Sequence, residues 1–592
     1  MANWRFIPIY KNKGDVNDTN NYRGITLLSC MGKLFTSVIN YRLKQYSDAQ
    51  EIISETQAGF REGYSTLDHI FLLKCVVDLF KWKKRKLFCL FVDYKKAFDI
   101  VWREGLWLKL VNNNVSGKIL KVIRNMYSNV KSCVMAEQRI SETFSCSMGV
   151  RQGENLSPLL FALYVNDLQE TLIEYNCNYL DFSDDLVNTY LRLLVIMYAD
   201  DTVILCDSEQ NMKNALASLH NYCSEWKLTV NCSKTKIVIF GRGRVATSNY
   251  NFQFGEERIE VVREYKYLGI LFICNGRFRE GQLELKDQAT RAMYPVIGTS
   301  RKHDLPVDIQ LQMYSSMVVP VATYACEIWG YNIIREMEFM QMRFLKYVLY
   351  VHRYTSTDIV YGELGMYPLE IVVKCRMINY WTRLITGKNT KLSYIIYTCL
   401  LQLYMSGIFI SPWLDCIRGI CIECGLSGVW QSQTIGNVRW FLKTVEQRLK
   451  DLWISTWYRN IITKGICSSY SVYKEVYGIE EYLVKLAKTN RINICKFRTG
   501  NNNLPVVRGR YHNVRREERF CDKCNSEQVG DEYHVLFQCQ NQYITQLRSK
   551  YIPEYYRVNT NRRKYIKMMQ CSSVHLLNNF SQFIKLVLRM FA

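Results

Sequence analysis

Leu193–Leu205 reads LLVIMYADDTVIL. Two strongly β-prone apolar runs flank Asp200 and Asp201, which predicts a hairpin with both carboxylates at its turn. A second acidic pair, Asp184 and Asp185, lies upstream among Asp181, Ser183 and Asn188 with no strand before it, and reads as a polar loop. An exposed Asp-Asp turn is common and by itself carries no chemistry. A partner changes that reading: LFCLFVDY (Leu87–Tyr94) is another apolar strand that ends on an acid, Asp93. If the two strands pair in one sheet, three carboxylates converge. Like charges in a partly enclosed site are costly unless a cation sits between them, and hard divalent ions such as Mg²⁺ or Mn²⁺ prefer such oxygens. Two metals about 3.5–4 Å apart would clamp the attacking and leaving oxygens of phosphoryl transfer.

The rest of the chain fits a polyanionic partner. Its 592 residues exceed what a single core organises, and 48% are hydrophobic, so several folded domains are expected. The formal net charge is +23, with local concentrations in KWKKRK (Lys81–Lys86) and RGRYHNVRREER (Arg508–Arg519). Any one such run can be a solvated face; the global excess is harder to explain that way. Twenty-two scattered cysteines and an N-terminus without an apolar signal core point to a reducing compartment, cytoplasm or nucleus. The uncharged window Leu392–Leu414 has spanning length but is interrupted by Ser, Thr, Gln, Gly and Pro, and reads as buried helix, so no membrane partner is expected.

Helical patterns run over Leu34–Leu43, Leu67–Phe80, Leu156–Leu168 and Met212–Lys227, between strand-like runs that include YKYLGILFI (Tyr265–Ile273). This mixture predicts an α+β fold with an antiparallel sheet backed by helices. Beyond about residue 280 the pattern turns mainly helical up to a Cys/His cluster near residue 520, and the tail after it is weakly patterned.

FVDYKKAFD, GVRQGENLSPLLFALYVNDL, MYADDTVIL, LTVNCSKTKIVIFG and YKYLGILF follow one another in order, and together they resemble the palm motifs of reverse transcriptases from non-LTR (LINE-type) retrotransposons. Upstream, FIPIYKNKGDVNDTNNYRGITLLS and QAGFREGYSTLDHIFLL resemble the fingers motifs of that family. The resemblance implies a right-hand polymerase of fingers (1–86) and palm (87–278), then a thumb-like helical region (279–390), a helical C-terminal region (391–507), a basic zinc knuckle (508–545) and a tail (546–592). It implies an RNA template, a DNA or RNA primer and dNTP as partners; protein partners are unknown.

Carried onto this chain, Asp93 bridges both metals, Asp200 is the second main ligand and Asp201 supports the site. Phe98 matches the aromatic that excludes a 2′-hydroxyl, Gln152 and Gly153 match the segment lining the nucleotide pocket, and Lys11 and Arg23 match cations that meet the triphosphate. Lys234 or Lys236 would protonate the leaving pyrophosphate, with Lys234 favoured. The turn at Tyr267–Gly269 resembles the primer-grip hairpin. The chain departs from the family at NYRG, where Gly24 replaces a proline and loosens the turn.

CDKCNSEQVGDEYHVLFQC places Cys521, Cys524, His534 and Cys539 at C-x2-C-x9-H-x4-C spacing, suited to one structural Zn²⁺. Arg508, Arg510, Arg515, Arg516 and Arg519 beside it, with Phe520 and Tyr533 as stacking faces, suit RNA contact. Cys421 and Cys424 form a C-x2-C with no histidine nearby and read as core cysteines. The family usually carries an upstream nuclease; the first fingers motif here begins almost at Met1, as in a truncated or partly predicted reading frame, and no RNase H acid set is evident. The alternatives to an active reverse transcriptase are a domesticated nucleic-acid-binding remnant that keeps the fold, and a viral RNA-dependent RNA polymerase, which Phe98 and the fingers motifs disfavour.

Overall fold

The computed structural model describes residues 3–12, 14–128, 130–136, 139–175, 177–181, 192–243 and 250–591. The chain divides into two compact units: residues 1–278 with 383–415, and residues 279–382 with 416–592.

The first unit is built around a six-stranded sheet. Leu87–Val92 lies inside it, between Lys236–Phe240 and Asp201–Cys206, with Val195–Tyr198 at one edge and Glu257–Val262 and Phe252–Phe254 at the other. All six residues of Leu87–Val92 are buried, as expected of a strand written as a continuous apolar run and covered on both faces. Phe88, Leu90 and Val92 enter the core shared with Leu216 and Leu219 of helix Glu209–Glu225, while Phe91 on the alternate face stacks on Tyr265 at 4.4 Å.

The four strands nearest the acids pair antiparallel. The sheet as a whole is mixed, because Lys236–Phe240 and Glu257–Val262 run parallel. The cause is local: the chain reaches the sheet edge as Phe252–Phe254, turns at Gly255 (φ +58°), and returns one strand inward as Glu257–Val262. YKYLGILFI is not a strand of this sheet. It forms its own hairpin, Glu264–Tyr267 with Ile270–Ile273, closed by Leu268 (φ +46°) and Gly269 (φ +85°). Two consecutive left-handed residues give the turn whose twist matches the strands it joins.

A second, five-stranded sheet joins Asn3–Tyr10 to Tyr22–Leu27 antiparallel and to Lys131–Ala136 parallel. Helix Thr66–Trp82 starts at a capping box in which Asp68 accepts from the Ser65 backbone N–H at 2.9 Å. Helix Leu392–Met405 packs on it, and Phe409 and Trp413 follow onto the same surface against Trp82 and Phe71. The long apolar window thus packs within the first unit as helix Leu392–Met405 and the segment after it, with Met405 and Ile410 exposed, and among the described residues no helix is long and apolar enough to cross a membrane.

The second unit is mainly helical. At its centre Arg498 and Glu363, both buried, pair at 2.8 Å, with the Tyr482 hydroxyl donating to Glu363 at 2.5 Å. Burial opposes the charge on Glu363, but Arg498, together with Lys474 and the Tyr482 hydroxyl, outweighs it and holds the carboxyl below its ordinary pKa. The tail is more ordered than its sequence suggests. Val574–Met590 is a helix that buries Leu577, Phe580, Ile584 and Val587 at helical spacing and packs on Lys488–Arg498.

Candidate active site

Asp93 follows directly on strand Leu87–Val92, and Val92 pairs with Thr202. One step further in this register sets Asp93 across from Asp201. On the other side, Tyr198 pairs with Asp201, so Ala199 and Asp200 lie at the hairpin turn. The expectation of two adjacent strands bearing three acids is met. Asp184 and Asp185 lie outside the described residues.

The acids act on one another. Burial pushes the Asp200 carboxyl up, Asp93 adds to the rise, and Arg23 draws it down. Crowding by the surrounding chain, with Asp200 and Asp93 beside it, pushes Asp201 up to about 6. An all-oxygen anionic donor set of this kind fits hard divalent cations.

A cavity of about 890 Å³ opens over the acids, and Lys11, Arg23, Phe98, Gln152 and Lys234 all line it with Asp93 and Asp200. Lys234 reaches Asp93 Oδ2 at 3.5 Å, whereas Lys236 pairs with Glu260 at 2.7 Å. Of the two lysines, Lys234 therefore faces the acids. The Lys11 ammonium donates to the Asn20 carbonyl at 2.9 Å. Phe98 stacks on Phe161 at 4.8 Å and meets Phe60 edge-on at 6.4 Å. The Gln152 carbonyl accepts from Thr26 N–H at 2.8 Å, which ties this segment to strand Tyr22–Leu27. Gly153 has φ +104°, and a Cβ there would meet the Thr26 carbonyl at 3.1 Å, so the close approach requires glycine. Beneath it, Arg151 and Glu154 form a buried pair at 3.1 Å and Tyr127 donates to Glu154 at 2.8 Å. Phe98, Gln152 and Gly153 also border a second cavity of about 820 Å³, lined further by Lys44, Phe60 and Tyr64.

Three supporting residues escaped the sequence reading. Asn231 donates from its side chain to Asp93 Oδ2 at 3.0 Å and from its backbone to the Asp93 carbonyl at 2.7 Å. The Asp93 N–H donates to Thr235 Oγ1 at 3.1 Å. Both residues sit in LTVNCSKTK, where the lysines drew attention and the short polar residues do the holding.

The third is Gln57, fully buried. Its amide oxygen accepts from the N–H groups of Ala199 and Gly59 at 2.9 Å each, and its amide nitrogen donates to the Ala199 carbonyl at 3.2 Å. Ala199 has φ +59°, a conformation its Cβ disfavours. Gln57 thus satisfies both backbone groups of the strained residue that precedes Asp200. Around it, Met197 N–H donates to the Thr56 carbonyl at 2.8 Å and Ala58 N–H to the Met197 carbonyl at 2.9 Å, so residues 56–58 extend the sheet edge in parallel. A Cβ at Gly59 would come within 2.2 Å of Ala199 N.

In the second unit, Cys521, Cys524, His534 and Cys539 offer four ligand atoms within 4.8 Å of one another and could hold a metal ion. The x4 spacing works through a π-helical turn over His534–Gln538, in which Cys539 N–H donates to the His534 carbonyl at 2.8 Å. A repeat of five residues sets His534 and Cys539 on one face, which an α-helical turn would not. His534 Nε2 lies 3.3 Å from Cys524 Sγ, and Gln528 fixes the ring through Nδ1 at 3.1 Å. Cys421 and Cys424 are buried, as expected of core residues.

Three of the five arginines before the cluster are less available than their sequence suggests. Arg508 pairs with Asp522, Arg516 pairs with Asp531, and Arg519 donates to the carbonyls of Val506 and Val514. Tyr533 packs against Phe537 and Tyr565 at 5.5 Å each, so of the two rings expected to stack it is Phe520 that is exposed.

Comparison with known proteins bears on the first unit. A family described as reverse transcriptase (RNA-dependent DNA polymerase) matches residues 9–272. The chain is 26% identical over 320 residues to a probable RNA-directed DNA polymerase from transposon X-element of Drosophila melanogaster, covering 52% of this chain and 33% of that protein. It is 26% identical over 399 residues to a probable RNA-directed DNA polymerase from transposon BS of the same organism, covering 64% and 42%. The matched region is therefore less than half the length of either relative. Among solved structures, apo telomerase from Candida Tropicalis aligns with 75% of this chain and 69% of its own, at 11% identity and a TM-score of 0.36, too loosely to place any residue.

Proposed function

We propose that residues 9–272, which match the reverse transcriptase family, form a domain of the non-LTR retrotransposon type and that the chain is an RNA-directed DNA polymerase that extends a primer 3′-hydroxyl with dNTPs on an RNA template. The observation that carries this reading is the meeting of Asp93 with the Asp200–Asp201 hairpin in a cavity that also receives Arg23, Lys234, Phe98 and Gln152.

Asp93, Asp200 and Asp201 would hold two divalent cations, Mg²⁺ or Mn²⁺. When bound, these lower the pKa of the primer hydroxyl and neutralise charge on the triphosphate. The chain's own residues do the rest. Arg23 offers a bidentate fork to phosphate oxygens, and Lys11, part-committed to the Asn20 carbonyl, adds a point charge. Lys234, near Asp93, is positioned to protonate departing pyrophosphate. Phe98, braced by Phe161, fills the space a 2′-hydroxyl would need and selects dNTP over NTP. Gln152 and Gly153 bring backbone close to the base pair being formed. Cys521, Cys524, His534 and Cys539 would hold one Zn²⁺ as a closed structural site. An intracellular setting, with copying in the nucleus, is part of the same reading.

The test is primer extension on a primed RNA template, comparing dNTP with NTP and using Asp200→Asn as control. Incorporation of dNTP that depends on Asp200 supports the proposal. RNA binding without incorporation of either nucleotide would identify a non-catalytic remnant, and preference for NTP would identify an RNA polymerase.

A further inference from the structure

The second unit contains a cavity of about 320 Å³ at the start of the basic stretch Arg508–Arg519, lined by Tyr354, Ser356, Gly500, Asn501, Arg510 and Tyr511 among others. Its volume is near the lower end of small-ligand pockets and suits one nucleotide.

Two of its groups have unspent binding capacity. Arg510 is partly buried, yet among the described residues its guanidinium has no hydrogen bond or salt bridge, in contrast to Arg508, Arg516 and Arg519 around it. Burial and the nearby charge of Arg519 both disfavour its cationic form; Glu532, the acid that most offsets this, is itself buried with its carboxyl pushed up. A part-exposed guanidinium with no protein partner among the described residues is open to an anion. Tyr511, next in sequence, is 66% exposed and has no aromatic or cationic partner among the described residues.

The facing wall is fixed. The Tyr354 ring is held by His352 at 4.9 Å and by Arg353 at 4.7 Å, and Arg353 also donates to its hydroxyl at 2.7 Å. His352 N–H in turn donates to the Asn501 side chain at 3.2 Å, which ties this wall to the floor at Gly500 and Asn501. At Gly500 (φ +63°) an added Cβ would meet nothing within 4 Å, so the floor opens onto free space.

A flat unpartnered ring beside an unpaired guanidinium and amide groups matches a base and its phosphate. We infer that this cavity captures one unpaired nucleotide of a single-stranded nucleic acid, with the base on Tyr511 and the phosphate on Arg510. Duplex would not enter, because its bases are stacked on one another and show the surface only their edges and backbone.

Photo-crosslinking of the full chain with a short single-stranded oligoribonucleotide containing 4-thiouridine tests this, with the matching DNA strand and a blunt duplex as further arms and mass spectrometry to locate the adduct. The expected adduct falls on Tyr511 or on the peptides 352–356 and 499–511. Its yield falls roughly tenfold in Arg510→Gln and in Tyr511→Ala and is retained in Tyr511→Phe, which keeps the ring. Crosslinking by RNA alone would assign the strand as RNA, and crosslinking by both would assign the shared base-and-phosphate chemistry. Adducts confined to other peptides, a yield unchanged in Arg510→Gln, or equal labelling by duplex would overturn the inference. Extension of a pre-annealed primer by the same preparations reports on the acids of the first unit separately, so failure of either reading leaves the other standing.

Discussion

The two ligand sets in this molecule are built in opposite ways. The Cys/His set comes from one stretch, Cys521 to Cys539, and its four ligand atoms already lie within 4.8 Å. The carboxylate set is assembled from strands more than a hundred residues apart and braced by Gln57 and Asn231 from two further segments. Thiols and an imidazole tolerate proximity because they share protons, whereas three carboxylates repel. The proposed structural site is thus encoded by spacing, and the proposed catalytic one by long-range pairing that forces like charges together.

This contrast can be broken most severely at Asp200. Asp200→Asn should reduce primer extension by more than ~10³-fold, beyond the loss of a single preorganised donor; Asp184→Asn, outside the set, should leave it nearly unchanged. Equal activity in the two variants would overturn the choice of acidic pair.

The bracing residues come next. Gln57→Ala leaves both backbone groups of Ala199 unpaired and lets the turn shift, and kcat should fall by roughly 10²-fold, the scale of a misplacement of about 1 Å, with little change in KM for dNTP. Gln57→Glu keeps the acceptor but faces the Ala199 carbonyl without a donor, and should be impaired nearly as much.

Phe98→Ala should lower the preference for dNTP over NTP by about 10–100-fold in kcat/KM while retaining dNTP use. At the local site, Cys539→Ser or a chelator should lower the melting temperature of the second unit by about 5–10 °C, with extension of a pre-annealed primer largely retained. A loss of extension as complete as that of Asp200→Asn would erase the distinction between the two sets.

The smallest effect concerns His69, buried behind Tyr198, which it meets edge-on at 6.2 Å. Burial, with Arg61 nearby, holds its pKa down at about 3 against an ordinary 6.5. The unfolded chain takes up this proton below pH 6.5 and the folded chain does not, so stability falls as pH drops from 6.5 toward 3. His69→Phe should flatten that part of the curve of melting temperature against pH.

Much of this was legible in the sequence, for reasons that follow the same contrast. The hairpin at Asp200, the strand ending on Asp93 and the Cys/His spacing are local patterns, and each appears where its pattern predicts. The parallel return of Glu257–Val262 was hidden because apolar alternation carries no strand direction. The bracing by Gln57 was hidden because its partner is 142 residues away. The arginines of Arg508–Arg519 read as one basic surface, but Arg519 is spent on carbonyls and Arg508 and Arg516 on acids. Only geometry separates Arg510 from them.

The bond from Gln57 to Ala199 also bears on the order of folding. Helices and hairpins can form early because their contacts are local, whereas this one waits for a loop of 142 residues to close. The turn bearing Asp200 should therefore set late, after the strands on either side. Until then Ala199 is free to leave its strained conformation, and the nascent chain is spared a rigid cluster of anions before the sheet around it can hold one.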